Sequence, residues 1–273
     1  MDNCIKQYYS QCFNKNVFSQ KENISNFDSE KQKILNKLFI DGKYIYKFYF
    51  FDSNDRLNKL KLSSLKNEEI WCSQYFEFLD TSEFDIKFNI SAFNSNINTN
   101  IDVEEFVKII KKISNLASFT YEYSNYMWGN YGGNGMGFCV KYEVLDSNFF
   151  YPILYDKKED YDFTEDLIYS FNSMQKALIT QDINELNNKY FERLAVLPFV
   201  LKDSNKFCKE KEIRLLDKND IILIDNNFNG RAVSLKTAGL KVNKIIIDFD
   251  SCPYRKEITE IVKDNNYKLD YRY

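Results

Sequence analysis

The chain has 273 residues, of which 44% are hydrophobic and 28% charged, as is usual for a folded protein with a sizeable core. Its eight glycines and three prolines are too few for a collagen-like, low-complexity or loop-dominated chain. The formal net charge of −3 excludes a strong basic field that would draw the protein to nucleic acid or anionic lipid.

The hydrophobic pattern predicts helices and strands in alternation. In chain order, it predicts a helix over residues 29–39, a strand over 44–51, a helix over 55–65 and a strand over 70–73. A loop over the Asn- and Ser-rich residues 89–101 precedes a helix over 103–113, with Asp102 as its N-cap, and a strand over 116–121. Next come strands over 138–142 and 149–155 and a largely helical stretch over 164–200. The pattern then predicts strands over 207–216, 221–224 and 241–249, a helix over 254–264 and a strand over 267–273.

This order of elements predicts the fold class and the domain organisation. Residues 43–273 show no internal repeat and no flexible linker, which indicates a single α+β domain with a mixed sheet and helices inserted between its strands. Residues 1–42 are expected to form an N-terminal helical extension.

The residue types that are absent limit the chemistry. The chain contains no histidine, which excludes Ser-His-Asp and Cys-His catalytic groups, His-ligated zinc and a histidine general base. The six cysteines are scattered without a Cys-x-x-Cys pair. The opening residues carry no signal-peptide pattern, and no run approaches the roughly eighteen apolar residues of a membrane span. We therefore expect a cytoplasmic protein with reduced thiols and no membrane association.

Five of the eight glycines lie between Gly129 and Gly137, directly after Trp128 and around Tyr131. Glycine lets a backbone approach a ligand closely, and flat rings suit a planar ligand whose phosphate or ribose lies against backbone N–H groups. The segment matches neither the dinucleotide-binding fingerprint nor the P-loop. The alternative, which the sequence slightly favours, is a glycine-rich turn between two strands, with Trp128 in the core.

Glu210, Glu212 and Arg214 are spaced so that, on a strand, their side chains share one face. Two neighbouring carboxylates beside a cation can tune each other's pKa and hold a hydroxyl or a developing positive charge. Taken alone, this row is more typical of a solvated edge strand with alternating charges. Ser118 and Thr120 likewise share a strand face, and Lys47 stands in an aromatic strand, where a lysine usually extends its amine towards water.

Taken in order, these segments resemble a bacterial family known as domain of unknown function twenty-nine seventy-one. The matching segments are Tyr46-Lys47-Phe48, Ile70 to Ser73, Asp80, Ser118-Phe119-Thr120, Met127-Trp128 with Tyr131 and Gly137-Phe138, and Phe207 with Glu210, Glu212 and Arg214. The resemblance covers roughly residues 43–250, and the family has no assigned activity.

A hydroxyl-bearing strand followed by Glu-x-Glu also resembles the R-S-E type of mono-ADP-ribosyltransferase. This resemblance implies a split, mainly antiparallel mixed sheet, NAD as substrate and no metal. It implies that Glu212 is the catalytic carboxylate that stabilises an oxocarbenium-like centre, and that Glu210 orients the acceptor. The residues implied in NAD binding are Ser118 and Thr120, which brace the site, Trp128 or Tyr131, which stacks on nicotinamide, Arg214, and Lys47, which replaces the arginine of the first strand at the pyrophosphate.

The function that we expect is NAD-dependent mono-ADP-ribosylation by a toxin or phage-defence effector, with a protein or nucleic acid as acceptor and an antitoxin or defence-system protein as a possible partner. One alternative is a carboxylate-metal nuclease that uses Asp80, Glu210 and Glu212 with Mg²⁺. A second alternative is a non-catalytic ligand- or protein-binding module of an abortive-infection or toxin–antitoxin system. A third, purely structural interpretation makes Trp128 and Tyr131 core residues and the Glu210–Arg214 row an ion-pair ladder.

Overall fold

The fold is α+β, with a mostly antiparallel sheet. The computed structural model describes residues 5, 24–39, 42–78, 80–97, 102–112, 114–157, 161–181, 194, 196–203, 207–218 and 229–272. Within these ranges it contains seven α-helices: α1 (Ile24–Leu38), α2 (Asp55–Lys66), α3 (Ile90–Asn96), α4 (Val103–Lys111), α5 (Asn125–Tyr131), α6 (Thr164–Thr180) and α7 (Arg255–Asp264). The predicted fold class is confirmed.

The same ranges contain eleven strands. These are β1 (Tyr44–Tyr49), β2 (Glu69–Ser73), β3 (Ser114–Thr120), β4 (Phe138–Val144), β5 (Phe150–Pro152), β6 (Leu154–Tyr155), β7 (Leu201–Lys202), β8 (Glu212–Lys218), β9 (Gly230–Ser234), β10 (Leu240–Asp248) and β11 (Leu269–Arg272). Nine of them form one sheet, in which the strands run β11-β10-β4-β1-β3-β2-β9, while β8 pairs with β3 and β5. Strands β6 and β7 form a separate parallel pair, and β10 and β11 also run parallel.

The large sheet divides along β3. This strand pairs with β8 over its whole length, from Ser114 opposite Lys218 to Thr120 opposite Glu212. In the part of the chain that the structure describes, its pairing with β1 is limited to Tyr46 opposite Thr120, and its pairing with β2 to Ser73 opposite Leu116. Strands β1 and β3 therefore diverge beyond a single pair of residues, and the gap between them positions the site described below.

Caps and apolar faces explain why the helices form where they do. Asp102 caps α4 as predicted, because its side chain accepts hydrogen bonds from the backbone N–H groups of Glu104 and Glu105. The same helix buries Phe106 and Ile110 in the main core. Leu35 of α1 lies in that core as well, so this helix packs on the sheet domain. No helix in the described ranges has both the length and the apolar character that crossing a membrane requires.

Three local predictions are wrong. Residues 89–101 were predicted as a loop, yet α3 lies within them, because the Asn89 side chain caps it by accepting from the N–H of Ala92. The strand predicted over 149–155 is broken into β5 and β6. The strand predicted from residue 207 begins only at Glu212, since Cys208–Glu210 is a 3₁₀ turn and Lys211 has a left-handed backbone with φ of 48°.

Some predictions fall on residues that the structure does not describe. The strand predicted over 221–224 lies outside the described residues, as do residues 182–193 of the predicted helical stretch and the cysteines at positions 4 and 12. The described cysteines Cys72, Cys139, Cys208 and Cys252 are free thiols.

Candidate functional site

A cavity of about 550 Å³ opens beside the gap between β1 and β3. Its volume lies within the range of about 300–1,000 Å³ that is usual for ligand sites. Its walls come from β1, β3, α5, β7, β8 and the two segments that precede α3 and β8. The lining residues are Tyr46, Lys47, Phe48, Glu77, Phe78, Asp80, Glu83, Ser118, Phe119, Thr120, Met127, Tyr131, Lys202, Phe207, Glu210, Glu212 and Arg214. Seven of the eight residues that the transferase resemblance implies therefore meet here, and Trp128 is the exception.

Lys47 bridges the two diverging strands. Its ammonium Nζ donates to the backbone carbonyl of Ser118 at 3.0 Å, next to the single pair that joins β1 to β3. The rings of Phe119 and Tyr49 lie 5.2 and 5.6 Å from the same Nζ atom. Burial lowers the pKa of Lys47 to about 8, although the nearby Glu212 carboxylate acts in the opposite direction. In place of an amine that extends into water, the structure has a lysine that ties the sheet together beside the cavity.

A buried cluster of ion pairs forms one wall. The Lys202 ammonium donates to Glu210 at 2.7 Å and to Glu212 at 2.6 Å, and lies 3.6 Å from Glu83. The Arg214 guanidinium donates through Nε to Glu212 at 2.7 Å and through Nη2 to Glu83, and its Nη1 donates to the carbonyl of Phe199 at 2.7 Å. Two cations thus hold three carboxylates in fixed positions.

Within this cluster, Glu212 is held as an anion. Burial on its own would raise its pKa, but the charges of Arg214 and Lys202, together with their hydrogen bonds, lower it to about 2. Burial likewise opposes the charge of Lys202, whose pKa is nevertheless raised by Glu212 and its neighbouring carboxylates. The backbone N–H of Glu212 donates to the Tyr155 hydroxyl at 2.9 Å, which fixes the start of β8.

Glu210 ends the 3₁₀ turn Cys208–Glu210 before β8. The prediction that Glu210 and Glu212 share one face of a strand is therefore wrong. The left-handed residue Lys211 redirects the chain between the two, so that both carboxylates reach the same ammonium of Lys202. The other oxygen of Glu210 accepts a hydrogen bond from the Tyr131 hydroxyl. Burial, and then the Glu210 carboxylate, raise the pKa of Tyr131 well above its usual range. Tyr131 remains 41% exposed at the end of α5, so its ring forms an accessible wall of the cavity.

Ser118 and Thr120 lie in the cavity wall. The Thr120 hydroxyl accepts from the backbone N–H of Glu122 at 3.1 Å and lies 3.3 Å from the carbonyl of Lys211. This contact joins the end of β3 to the turn that places Glu210 and Glu212. Ser118 contributes its backbone carbonyl to Lys47.

Trp128 lies outside the cavity. Its ring is fully buried against Ile246, and its Nε1 donates to the Tyr123 hydroxyl at 2.9 Å. The Arg272 guanidinium covers the ring at 5.1 Å from its centroid. Trp128 is therefore a core residue, as in the structural alternative. Of the two rings, Tyr131 is the one that lines the cavity.

Lys202 and Glu83 were not anticipated from the sequence. Lys202 directly follows the apolar residues 196–201. A single charged residue at the end of such a run was the sequence signal that the lysine is buried beside a partner. Glu83 belongs to the 3₁₀ turn Thr81–Phe84, more than 100 residues before its partners, and no local pattern marks it.

Two of the three carboxylates of the nuclease alternative, those of Glu210 and Glu212, are engaged by this network. Glu210 and Glu212 both accept from Lys202, so a cation of the protein occupies the space between them. Among the described residues, no three acidic or cysteine side chains are grouped so that they could hold a metal ion.

Comparison with known proteins adds no relative from which a function could be transferred. No protein-family model matches the chain, and neither a curated protein nor a solved structure shows significant similarity to it.

Proposed function

We propose that this cavity carries out NAD-dependent ADP-ribosyl transfer, with Glu212 as the catalytic carboxylate. The observation that carries the proposal is that Glu210, Glu212, Tyr131 and Lys47, which come from four separate elements, line one cavity of ligand size. A transferase of this kind breaks the bond between C1′ of the ribose and nicotinamide, and the bonding electron pair leaves with nicotinamide. The acceptor's nucleophile then forms the new bond to C1′ and gives up its proton.

Glu212 suits the electrostatic part of this reaction. Positive charge develops on the ribose in the transition state, and a carboxylate that is already fixed and ionised stabilises it without having to reorganise. Lys202 and Arg214 supply this fixation, since they donate to both oxygens of Glu212. The low pKa of about 2 means that Glu212 carries its charge at neutral pH.

Glu210 suits the contact with hydroxyl groups. One of its oxygens already accepts from a hydroxyl, that of Tyr131, so a ribose or acceptor hydroxyl can replace this donor without leaving the carboxylate unpaired. Glu210 is then placed to orient the acceptor and take its proton. The exposed ring of Tyr131 offers a flat face for nicotinamide.

A second candidate function is non-catalytic ligand binding in the same cavity. The observation that favours it is the saturation of Glu212, whose two oxygens accept three hydrogen bonds from Arg214 and Lys202. In that case the carboxylate serves the fold, because three of its roughly four acceptor sites are used by groups of the protein.

The test is release of nicotinamide from NAD by the purified protein, with a chelator present. We compare the wild type with Glu210→Gln and Glu212→Gln, and use Glu260→Gln on the exposed face of α7 as the matched control. The proposal expects release by the wild type and the control, and at least about a hundredfold loss in either cavity variant.

The fold of each variant is checked by its melting curve, and NAD binding by the shift of that curve. If NAD shifts the melting temperature of folded wild type but no nicotinamide is released with any acceptor supplied, the binding function replaces the transferase. If NAD produces neither a shift nor release, both NAD functions are rejected.

A further inference from the structure

The lining of the cavity carries an excess of negative charge. Among its described lining residues, five are acidic and three are basic. The acidic residues include Glu77 and Asp80, both of which are exposed to solvent. The basic residues are Lys47, Lys202 and Arg214.

The three basic groups are engaged by the protein. Lys202 lies between Glu210 and Glu212, Arg214 binds Glu212 and the Phe199 carbonyl, and Lys47 donates to the Ser118 carbonyl. Because the charges of Lys202 and Arg214 are matched by carboxylates at hydrogen-bond distance, they offer little attraction to an anionic ligand group. This cluster of two cations and three carboxylates is itself negative overall, as is the described part of the lining as a whole.

Aromatic rings form much of the remaining lining, namely Tyr46, Phe48, Phe78, Phe119, Tyr131 and Phe207. The face of such a ring is electron-rich and attracts a cation that lies within about 6 Å of its centre. The protein already uses three of these rings in this way, since the ammonium groups of Lys202, Lys47 and Lys141 lie 4.8, 5.2 and 5.8 Å from the ring centres of Phe207, Phe119 and Tyr46. A wall of rings with a net negative charge is complementary to a flat organic cation.

We infer that the cavity binds the positively charged, planar part of its ligand and discriminates against a neutral molecule of the same shape. In its reference to NAD this inference rests on the proposed function, because the pyridinium ring of NAD is such a cation and the anionic pyrophosphate then lies towards solvent. The selectivity for a cation follows from the lining itself and applies equally if the ligand is another aromatic cation.

The test measures binding of 1-methylnicotinamide, a permanent cation, and of nicotinamide, its neutral counterpart, by calorimetry on the full chain. We expect the cation to bind about tenfold more tightly or better. The variant Glu77→Gln with Asp80→Asn reduces this preference, because it removes two negative charges from the lining while keeping the shape of both side chains. Glu260→Gln, outside the cavity, keeps the preference.

The outcomes separate this inference from the proposed function. Preferred binding of the cation together with nicotinamide release from NAD supports both, and preferred binding without release supports the inference and rejects the transferase. Equal or tighter binding of nicotinamide, or no measurable binding of either compound to the folded protein, overturns the inference, as does a preference that survives unchanged in the double variant.

Discussion

Glu212 owes its charge to two cations that are buried with it. Removing one partner of a buried ion pair leaves the others uncompensated, which costs about 3–5 kcal/mol of folding free energy in typical cases. Lys202 and Arg214 would both lose a countercharge if Glu212 were neutral. The same carboxylate is thus a catalytic candidate and a structural element, and the two roles predict different measurements.

We predict that Glu212→Gln lowers the free energy of unfolding by about 3–5 kcal/mol at pH 7. The folded-state pKa of about 2 lies below the unfolded value of about 4.3, so the stabilisation is present above pH 4.3 and is lost as pH falls through 2. Urea unfolding at several pH values should therefore show the wild type approaching the variant in acid. Glu260→Gln is the control and should change stability by less than about 0.5 kcal/mol. A constant gap down to pH 2 would contradict the assignment.

Tyr131→Phe tests whether the Tyr131 hydroxyl occupies the place of a ligand hydroxyl at Glu210. The variant loses one partly exposed hydrogen bond, so we expect a loss of about 1 kcal/mol in stability. NAD should bind the variant more tightly than the wild type, because no internal hydrogen bond has to be broken first. Tyr126→Phe, on the same helix but outside the cavity lining, is the matched control for calorimetry. Weaker binding to Tyr131→Phe would show that its hydroxyl contacts the ligand directly.

At the level of elements, the junction of α5 with β4 contains a glycine, Gly137, at which a larger residue would collide with backbone. A Cβ atom at Gly137 would lie 1.9 Å from the Tyr49 carbonyl oxygen, so any larger residue must push the end of β1 away from β4. Gly129, inside α5, has room, since the nearest atom to its added Cβ is 3.5 Å away. The two positions form a matched pair in one segment.

We predict opposite effects of alanine at these two glycines. Gly137→Ala should lower the free energy of unfolding by about 1–3 kcal/mol through overpacking. Gly129→Ala should raise it by about 0.5–1 kcal/mol, because glycine is unfavourable inside a helix. Chemical unfolding of both variants measures the difference. Destabilisation by Gly129→Ala would mean that α5 is not helical at that position.

Short-range chemistry explains which elements were predictable. The apolar faces of α4 and of the central strands are visible in the sequence, and Asp102 marks the start of α4. Helix α3 was missed because Asn and Ser are typical of loops, although Asn89 caps a helix here. The start of β8 was missed because a left-handed non-glycine residue, Lys211, interrupts the predicted strand.

The part of the site that could be predicted consists of residues that lie close together in the sequence, on one strand or in one motif. Glu210, Glu212, Ser118 and Thr120 could be identified from their spacing, and the structure brings them together. Lys202, which binds the two glutamates, could not be identified as their partner. The pairing of β6 with β7 positions Lys202 beside them, and no sequence pattern encodes that pairing. Contacts between residues far apart in the sequence, and not local propensity, therefore decide which side chains form the ion-pair wall of the cavity.

For the whole molecule, the division of the sheet opens the cavity and places the charged side chain of Lys47 beside it. Strands β1 and β3 part after one pair, and Lys47 fills the gap with a cation that burial has partly destabilised. The groups that face Lys47 are the Ser118 carbonyl on β3, Glu212 on β8, Cys72 on β2 and the Tyr49 ring on β1. Burial raises the pKa of Cys72 to about 12 and also raises the pKa of Tyr49 above its usual value, so neither group titrates near pH 8.

Lys47 therefore makes the binding of a cation depend on pH. Below pH 8 its ammonium repels a cationic ligand, and above pH 8 it is neutral and the excess negative charge of the lining grows. Binding of 1-methylnicotinamide, which has no ionisable group in this range, should tighten several-fold between pH 7 and pH 9. In Lys47→Met, which keeps the length of the side chain without its charge, binding at pH 7 should already be tight and independent of pH. Calorimetric titrations at both pH values measure this, and an equal rise in the variant would assign the titration to another group.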